Sequence, residues 1–156
     1  ERDPMRELAF NGIYRLNPES GEVQLLERTQ SRPNGIALSV DERTLYVANS
    51  DENNKVWYSY EVGDSGELSN QQVFFDVNDQ DGVGAADGMK IDVDGNIFAT
   101  GPGGVWVFDP GGNHLGTIKP DEVPANVGWG DDGSTLYMTA RTGLYRIKLS
   151  TSGLVP

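Results

Sequence analysis

The sequence predicts an all-β fold, a propeller of four-stranded antiparallel blades, of which these 156 residues supply about three and a half. Three observations carry that expectation. The first is punctuation: 20 glycines and 8 prolines separate short runs rich in Tyr, Val, Ile and Thr, the composition of brief strands and tight turns. No stretch longer than about ten residues keeps a helical apolar period. The second is a repeat in which Asn34, Asp87 and Asn126 each precede an apolar run. An aliphatic–aromatic pair follows each of them, Leu45-Tyr46, Ile97-Phe98 and Leu136-Tyr137, after 11, 10 and 10 positions. The third is a further series of such pairs, Val56-Trp57, Val105-Trp106 and Leu144-Tyr145. The repeat length, about 40 to 50 residues, is that of propeller blades.

Each unit is read as four strands. The first follows the polar residue, as in residues 35–39. A turn comes next, at residues 40–43, 93–95 or 131–134, where Asp and Gly tolerate turn dihedrals and bond their own backbone. The second strand spans residues 44–49, 96–100 or 135–140, and the third opens on the second series of pairs. Hairpins at residues 63–66 and 111–113 lead to the fourth strand, at residues 72–75 and 114–118. Gly12-Ile13-Tyr14-Arg15-Leu16 nearly copies Gly143-Leu144-Tyr145-Arg146-Ile147, so the chain is expected to begin in mid-blade. A hairpin at residues 17–21 and a fourth strand at residues 22–27 would follow. The whole chain is thus read as the C-terminal half of one propeller domain. Residues 1–30 end a preceding blade, 31–78 and 79–120 form two blades, and 121–156 form the last. An open half-ring leaves apolar blade faces uncovered, so a missing N-terminal half is expected as a partner, and pairing of two copies is the weaker route.

Composition excludes several functions. Twelve Lys plus Arg against 24 Asp plus Glu give a formal charge of −12, which repels phosphate backbones and anionic membranes; neither nucleic acid nor membrane is an expected partner. There is no cysteine and a single histidine, which rules out thiolate nucleophiles, disulfides and imidazole-rich zinc sites. Any metal must be held by oxygen. No apolar run approaches the roughly 20 residues of a membrane-spanning helix. Glu1-Arg2-Asp3-Pro4 is no signal peptide; any targeting segment is expected to precede residue 1, so localisation is unassigned.

A repeat that returns an oxygen-bearing side chain to one structural position can build a ring of ligands about an axis. Asn34 and Asp87 also have a plain reading, since Asn-Gly and Asp-Gly are common turn pairs, and Asn126 has that of a hydrogen bonder at a strand start; the shared repeat position of Asn34 and Asp87 is what favours a site. The segments that carry these residues are also the segments that carry a resemblance. Arg32-Pro33-Asn34-Gly35-Ile36-Ala37 with Leu45-Tyr46-Val47, then Ala86-Asp87-Gly88-Met89-Lys90-Ile91-Asp92, then Gly104-Val105-Trp106-Val107-Phe108-Asp109-Pro110 and Asn126-Val127 together resemble the SMP-30/gluconolactonase/LRE-like family. The resemblance runs from about Gly12 to Leu149.

Members of that family are six-bladed propellers that hydrolyse lactones, and in some branches organophosphates. They use one divalent cation, commonly calcium, at the top of the central channel. The resemblance implies that Asn34 gives the cation a side-chain carbonyl oxygen, and that Asp87 gives it a carboxylate oxygen beside the reacting centre. A glutamate near the family's N-terminus and an asparagine of an earlier blade complete the shell; both are expected to precede residue 1. The chain would then carry half of a site and be inactive alone. Calcium takes about six to eight oxygens, so one carboxylate and one amide need further donors. Such a cation polarises a lactone carbonyl, and a neighbouring carboxylate can act as general base. Asn126 is read as lining the channel or touching substrate, and Arg32 as a candidate contact for an anionic substrate or simply an exposed arginine.

Other motifs fail on context. Gly63-Asp64-Ser65-Gly66 matches the nucleophile segment of trypsin-like proteases but sits in an outer hairpin with no histidine before it. Asp92-Val93-Asp94-Gly95 starts like a calcium loop but lacks the later ligands and is read as a turn. Gly101-Pro102-Gly103-Gly104 has no phosphate-loop lysine. His114 is expected to be exposed at a hairpin, and Trp57 and Trp106 to pack in the core. Two function classes remain: a metal-dependent lactone hydrolase, with organophosphate cleavage as its variant, and a non-catalytic propeller that binds a ligand on its top face.

Overall fold

The computed structural model describes residues 4–154. Among them there is no helix, and none long and apolar enough to cross a membrane. Among the described residues, thirteen strands form four antiparallel sheets. The first sheet pairs β1 (Ile13–Leu16) with β2 (Val23–Glu27). The second runs in sequence order through β3 (Pro33–Leu38), β4 (Thr44–Asp51), β5 (Asn54–Val62) and β6 (Leu68–Asp76). The third does the same with β7 (Met89–Ile91), β8 (Ile97–Gly101), β9 (Gly104–Phe108) and β10 (His114–Ile118). The fourth has three strands, β11 (Pro124–Gly130), β12 (Thr135–Ala140) and β13 (Gly143–Lys148). Strand β7 lies against both β3 and β11. The first strands of three successive sheets are therefore neighbours around one axis, and the sheets are propeller blades.

Alternation along the strands explains the stacking. Side chains two apart share a face, and in each middle blade the two faces enter different cores. Tyr46, Ala48 and Trp57 meet Ile97, Ala99, Trp106 and Phe108 of the next blade. Their neighbours Leu45 and Val47, with Tyr60, face Ile13 of the preceding sheet. In the third blade Phe98 and Val105 turn the other way and pack on Val127, Leu136 and Met138. The densest interface is aromatic. Phe108 is completely buried and meets Trp57 edge-on at 5.3 Å, Phe74 at 5.5 Å and Phe75 at 4.8 Å between ring centroids. Trp57 and Trp106 are core residues, as expected, and exposed His114 lies on the outer side of Trp106 with centroids 4.4 Å apart.

The turns are closed by the acidic residues that composition placed there. Asp92 is fully buried, and its carboxylate accepts bonds from the N–H groups of Asp94 (3.0 Å) and Asn96 (2.7 Å), from Asn96 Nδ2 (2.8 Å) and from Thr151 Oγ1 (2.9 Å). Four donors offset the cost of burying a charge. They confirm a turn, and they also dock residues 151–153 of the last blade on the third, where the Val93 N–H donates to the Ser152 carbonyl. Asp109 repeats the device at the next hairpin with Asn113 N and Nδ2, at 2.9 and 2.8 Å.

Strand limits differ from expectation at the axis. β3 and β11 begin before Asn34 and Asn126, whereas β7 begins after Asp87. The reason is an extra residue near the start of each first strand. Pro33 pairs with Asn49 and Ile36 with Val47, so Asn34 and Gly35 together oppose Ala48. Likewise the Asp87 N–H donates to the Thr100 carbonyl while the Thr100 N–H donates to that of Gly88. β11 skips a residue between Pro124 and Asn126. These are β-bulges, which re-aim a side chain at the cost of local pairing.

The end sheets are less covered. With two strands, β1 and β2 leave Ile36 and Leu38 of β3 48% and 42% exposed, and Leu144 of β13 at the other end is 68% exposed. The aromatic interface yields a prediction. Phe108→Ala empties the point where the rings of Trp57, Phe74 and Phe75 converge and lowers stability by about 3–5 kcal/mol, read as a drop in the urea midpoint with an unchanged slope.

Candidate active site

Three successive first strands bring Asn34, Asp87 and Asn126 side by side, and glycine is what lets them approach. A Cβ on Gly35 would stand 2.0 Å from the carbonyl oxygen of Asp87. A Cβ on Gly88 would stand 2.1 Å from Asn126 Oδ1 and 2.8 Å from its Cα. Each glycine thus backs directly onto the polar residue of the next blade. Neither needs a left-handed backbone, because both lie outside the positive-φ set; the requirement is space alone.

Hydrogen bonds stitch the same three positions together. Asn34 Nδ2 donates to Ser50 Oγ at 3.0 Å, and Ser50 Oγ donates to the Ala86 carbonyl at 2.5 Å, one residue before Asp87. The Gly88 N–H donates to the Ala125 carbonyl at 3.0 Å. Buried Thr100 reaches the carbonyls of Gly88 and Ala125 with one hydroxyl, at 3.1 Å each. Asn49, wholly buried, holds the entry to β3 by accepting the Arg32 N–H at 2.8 Å while its own Nδ2 bonds the Asn54 carbonyl at 2.8 Å.

Electrostatically the site centres on Asp87, which is half-buried. Burial pushes its carboxyl above the ordinary 3.8, and the Gly88 N–H offsets part of that rise. Among the described residues no cationic side chain contributes to that balance. The donor set present, one carboxylate under-compensated for its burial and one amide oxygen, suits a hard cation. It is an incomplete shell, because among the described residues no group of three His, Cys, Asp or Glu gathers as a metal site.

The remaining candidates sit less centrally. Asn126 is exposed, and its Oδ1 accepts the Val127 N–H at 2.9 Å, which folds the side chain onto its own strand. Arg32 is exposed, and its charge acts on Asp51. Sequence reasoning gave Ser50, Thr100 and Ala86 no part in joining one blade to the next; only contact across the axis shows it.

Two measurements follow. Gly35→Ala drives a methyl group into a backbone oxygen that cannot swing aside, so it destabilises by about 1–3 kcal/mol and displaces Asp87, whereas Gly128→Ala, with open space at its Cβ, leaves stability within about 0.5 kcal/mol; paired denaturation curves check both. The second concerns pH. Folded Asp87 holds its proton to higher pH than the unfolded carboxyl does, so the native state binds more protons just above 3.8. Stability contributed by this group therefore falls as pH rises through that window, and stays lowered at neutral pH. Asp87→Asn removes the penalty, and in EDTA at neutral pH the variant melts no lower than the parent.

Comparison with known proteins places the chain in a family. Residues 1–142 match the SMP-30/Gluconolactonase/LRE-like region. The chain is 36% identical over 159 residues to a gluconolactonase of Zymomonas mobilis subsp. mobilis, covering 98% of this chain and 44% of that protein. In structure it superposes on XC5397 of Xanthomonas campestris, described as a gluconolactonase, with a TM-score of 0.84, 32% identity, and coverage of 95% of this chain and 47% of that one. It shares the fold of regucalcin, described as a calcium-binding protein, of Agrobacterium tumefaciens str. C58, at a TM-score of 0.77, 24% identity, and coverage of 91% and 53%. The chain thus spans about half the length of the relatives it matches. With that match over most of its length and the blade architecture beneath it, the chain belongs to the SMP-30/gluconolactonase/LRE-like family.

Proposed function

We propose that this chain is the C-terminal half of a six-bladed propeller that hydrolyses a lactone with the help of one divalent cation, most simply calcium. The observation that carries the reading is the pairing of Asn34 with an under-compensated carboxylate, Asp87, at equivalent bulges of adjacent first strands in a chain of this family. The uncovered Ile36 and Leu38 beside a two-stranded sheet support a ring continued by further strands on that side. So does the chain's coverage of 44% of the gluconolactonase it matches.

Asn34 Oδ1 and a carboxylate oxygen of Asp87 would hold the cation, with two further protein donors from the other half of the ring and waters completing the shell. When bound, the cation supplies Lewis acidity toward the lactone carbonyl. Asp87 would accept a proton from the attacking water at its free carboxylate oxygen and return it to the ring oxygen freed when the acyl C–O bond breaks, a task suited to a carboxyl whose burial raises its proton affinity. Asn126 would line the channel next to Asp87, with its Nδ2 left to contact the substrate while Oδ1 holds the Val127 N–H. Arg32, at the rim, meets the carboxylate of the opened product. Division into blades at residues 31–78, 79–120 and 121–156, with 1–30 closing the blade before, follows the same reading.

The test uses the complete ring, assembled from this chain and the preceding blades. With calcium and gluconolactone, acid release is followed in the parent, in Asp87→Asn and in Asn34→Ala. Asp87→Asn lowers kcat by about 100-fold or more, and Asn34→Ala weakens calcium binding. Undiminished turnover in Asp87→Asn overturns the assigned base. Ligand binding without turnover of either lactone or organophosphate by the parent assigns the fold to a non-catalytic binding module. The chain alone shows no calcium-dependent turnover, a result that the same assay reads directly.

A further inference from the structure

We infer that Ser50 is a positioning residue for the cation site. Its hydroxyl selects which atom of the Asn34 amide is left for the ligand and ties that amide to the segment bearing Asp87. The inference rests on the reading of Asn34 and Asp87 as ligands and adds the part that sequence spacing cannot show.

The argument is one of proton counting. An asparagine side chain presents either a carbonyl oxygen or an amino group, and the two orientations have nearly the same shape. Only the oxygen binds a cation. Asn34 is exposed, so packing does not choose between the orientations. Ser50 does. A serine hydroxyl carries one proton, and a backbone carbonyl can only accept. The short bond to the Ala86 carbonyl, 2.5 Å, uses that proton. Toward Asn34, 3.0 Å away, Ser50 Oγ can then only accept. The partner at that distance must be the amino group, which leaves Oδ1 for the ligand.

Ser50 is well placed to impose this. It stands near the end of β4, paired with Lys55 of β5, and its own N–H donates to the Arg32 carbonyl at 2.9 Å. Both ends of the relay are therefore fixed by backbone, one in the blade of Asn34 and one in the strand entry of Asp87. Partners that orient a metal ligand in this way commonly change metal affinity by about 10- to 100-fold when removed. Loss of orientation alone, with the two amide orientations equally populated, costs about twofold; the rest of the expected loss comes from freeing the Ala86 carbonyl, and with it the segment bearing Asp87, from the relay.

The experiment is calorimetric titration of calcium chloride into the complete ring, with melting temperature in EDTA recorded for each variant. Ser50→Ala weakens calcium about 10-fold while its EDTA melting temperature stays near that of the parent, and Ser50→Thr, which keeps the hydroxyl, binds calcium like the parent. In an Asn34→Ala background the further change Ser50→Ala has no effect on affinity, because the residue it orients is gone. Calcium affinity unchanged in Ser50→Ala, a threonine variant as weak as the alanine one, or an undiminished effect in the Asn34→Ala background each overturns the role of Ser50 while leaving the cation site standing. A parent that does not bind calcium overturns the cation site itself, and the role of Ser50 with it.

Discussion

Everything in this molecule depends on blades packing face to face through alternate residues of the same strands. In β8, Ile97 and Ala99 enter one interface and Phe98 enters the other. A middle blade is thus buried on both sides and cannot be solvated on either without losing a core. Face-to-face stacking in turn forces the first strands together near the axis, since β7 must touch β3 and β11. Backbone crowding at that point is relieved in two ways, by glycine after Asn34 and Asp87 and by an added residue in each first strand. The polar side chains that converge there are a consequence of how the blades stack.

The same crowding sets the chemistry. At the axis, carbonyls of Ala86 and Ala125 face hydroxyls and an N–H of adjoining blades, and the Gly88 carbonyl takes Thr100 of its own blade. These donors are spent on backbone oxygens, so the Asp87 carboxylate receives little compensation for its partial burial and holds its proton more tightly than usual. Elsewhere the opposite holds. Asp109, whose carboxylate takes the N–H and side-chain amide of Asn113, is held below the ordinary range, and Asp132, bonded by Ser134 and Lys148, falls to about 2. Among the described residues, Asp92, Asp109 and Asp132 close turns, whereas Asp87 stands at the axis with little compensation for its burial.

Much of this was legible in the residues. The 10- and 11-residue returns from Asn34, Asp87 and Asn126 to an aliphatic–aromatic pair located β3, β4, β8, β11 and β12, and the copy of β13 near the start located β1. The Asp-Gly turns were read correctly, but the reach of Asp92 to Thr151 across 59 positions was not, because a turn motif says nothing about what docks on it. Strand starts at the axis were misplaced by one to three residues, since bulges follow from inter-blade crowding and leave only a weak mark in local composition. The role of Ser50 leaves no mark in the local sequence, because its partners lie 16 and 36 residues away.

By itself the sequence determined the blade architecture and the candidate ligands Asn34 and Asp87. Alternation and repeat length are local properties, and each blade rewrites them. The tertiary structure alone decided which of the repeated polar residues are exchangeable. Asn34 is bonded to a serine that leaves Oδ1 open, whereas Asn126 spends its oxygen on its own backbone. That difference has a simple physical cause. A side-chain amide or carboxylate takes its role from the proton donors that surround it, and around this axis those donors come from other blades.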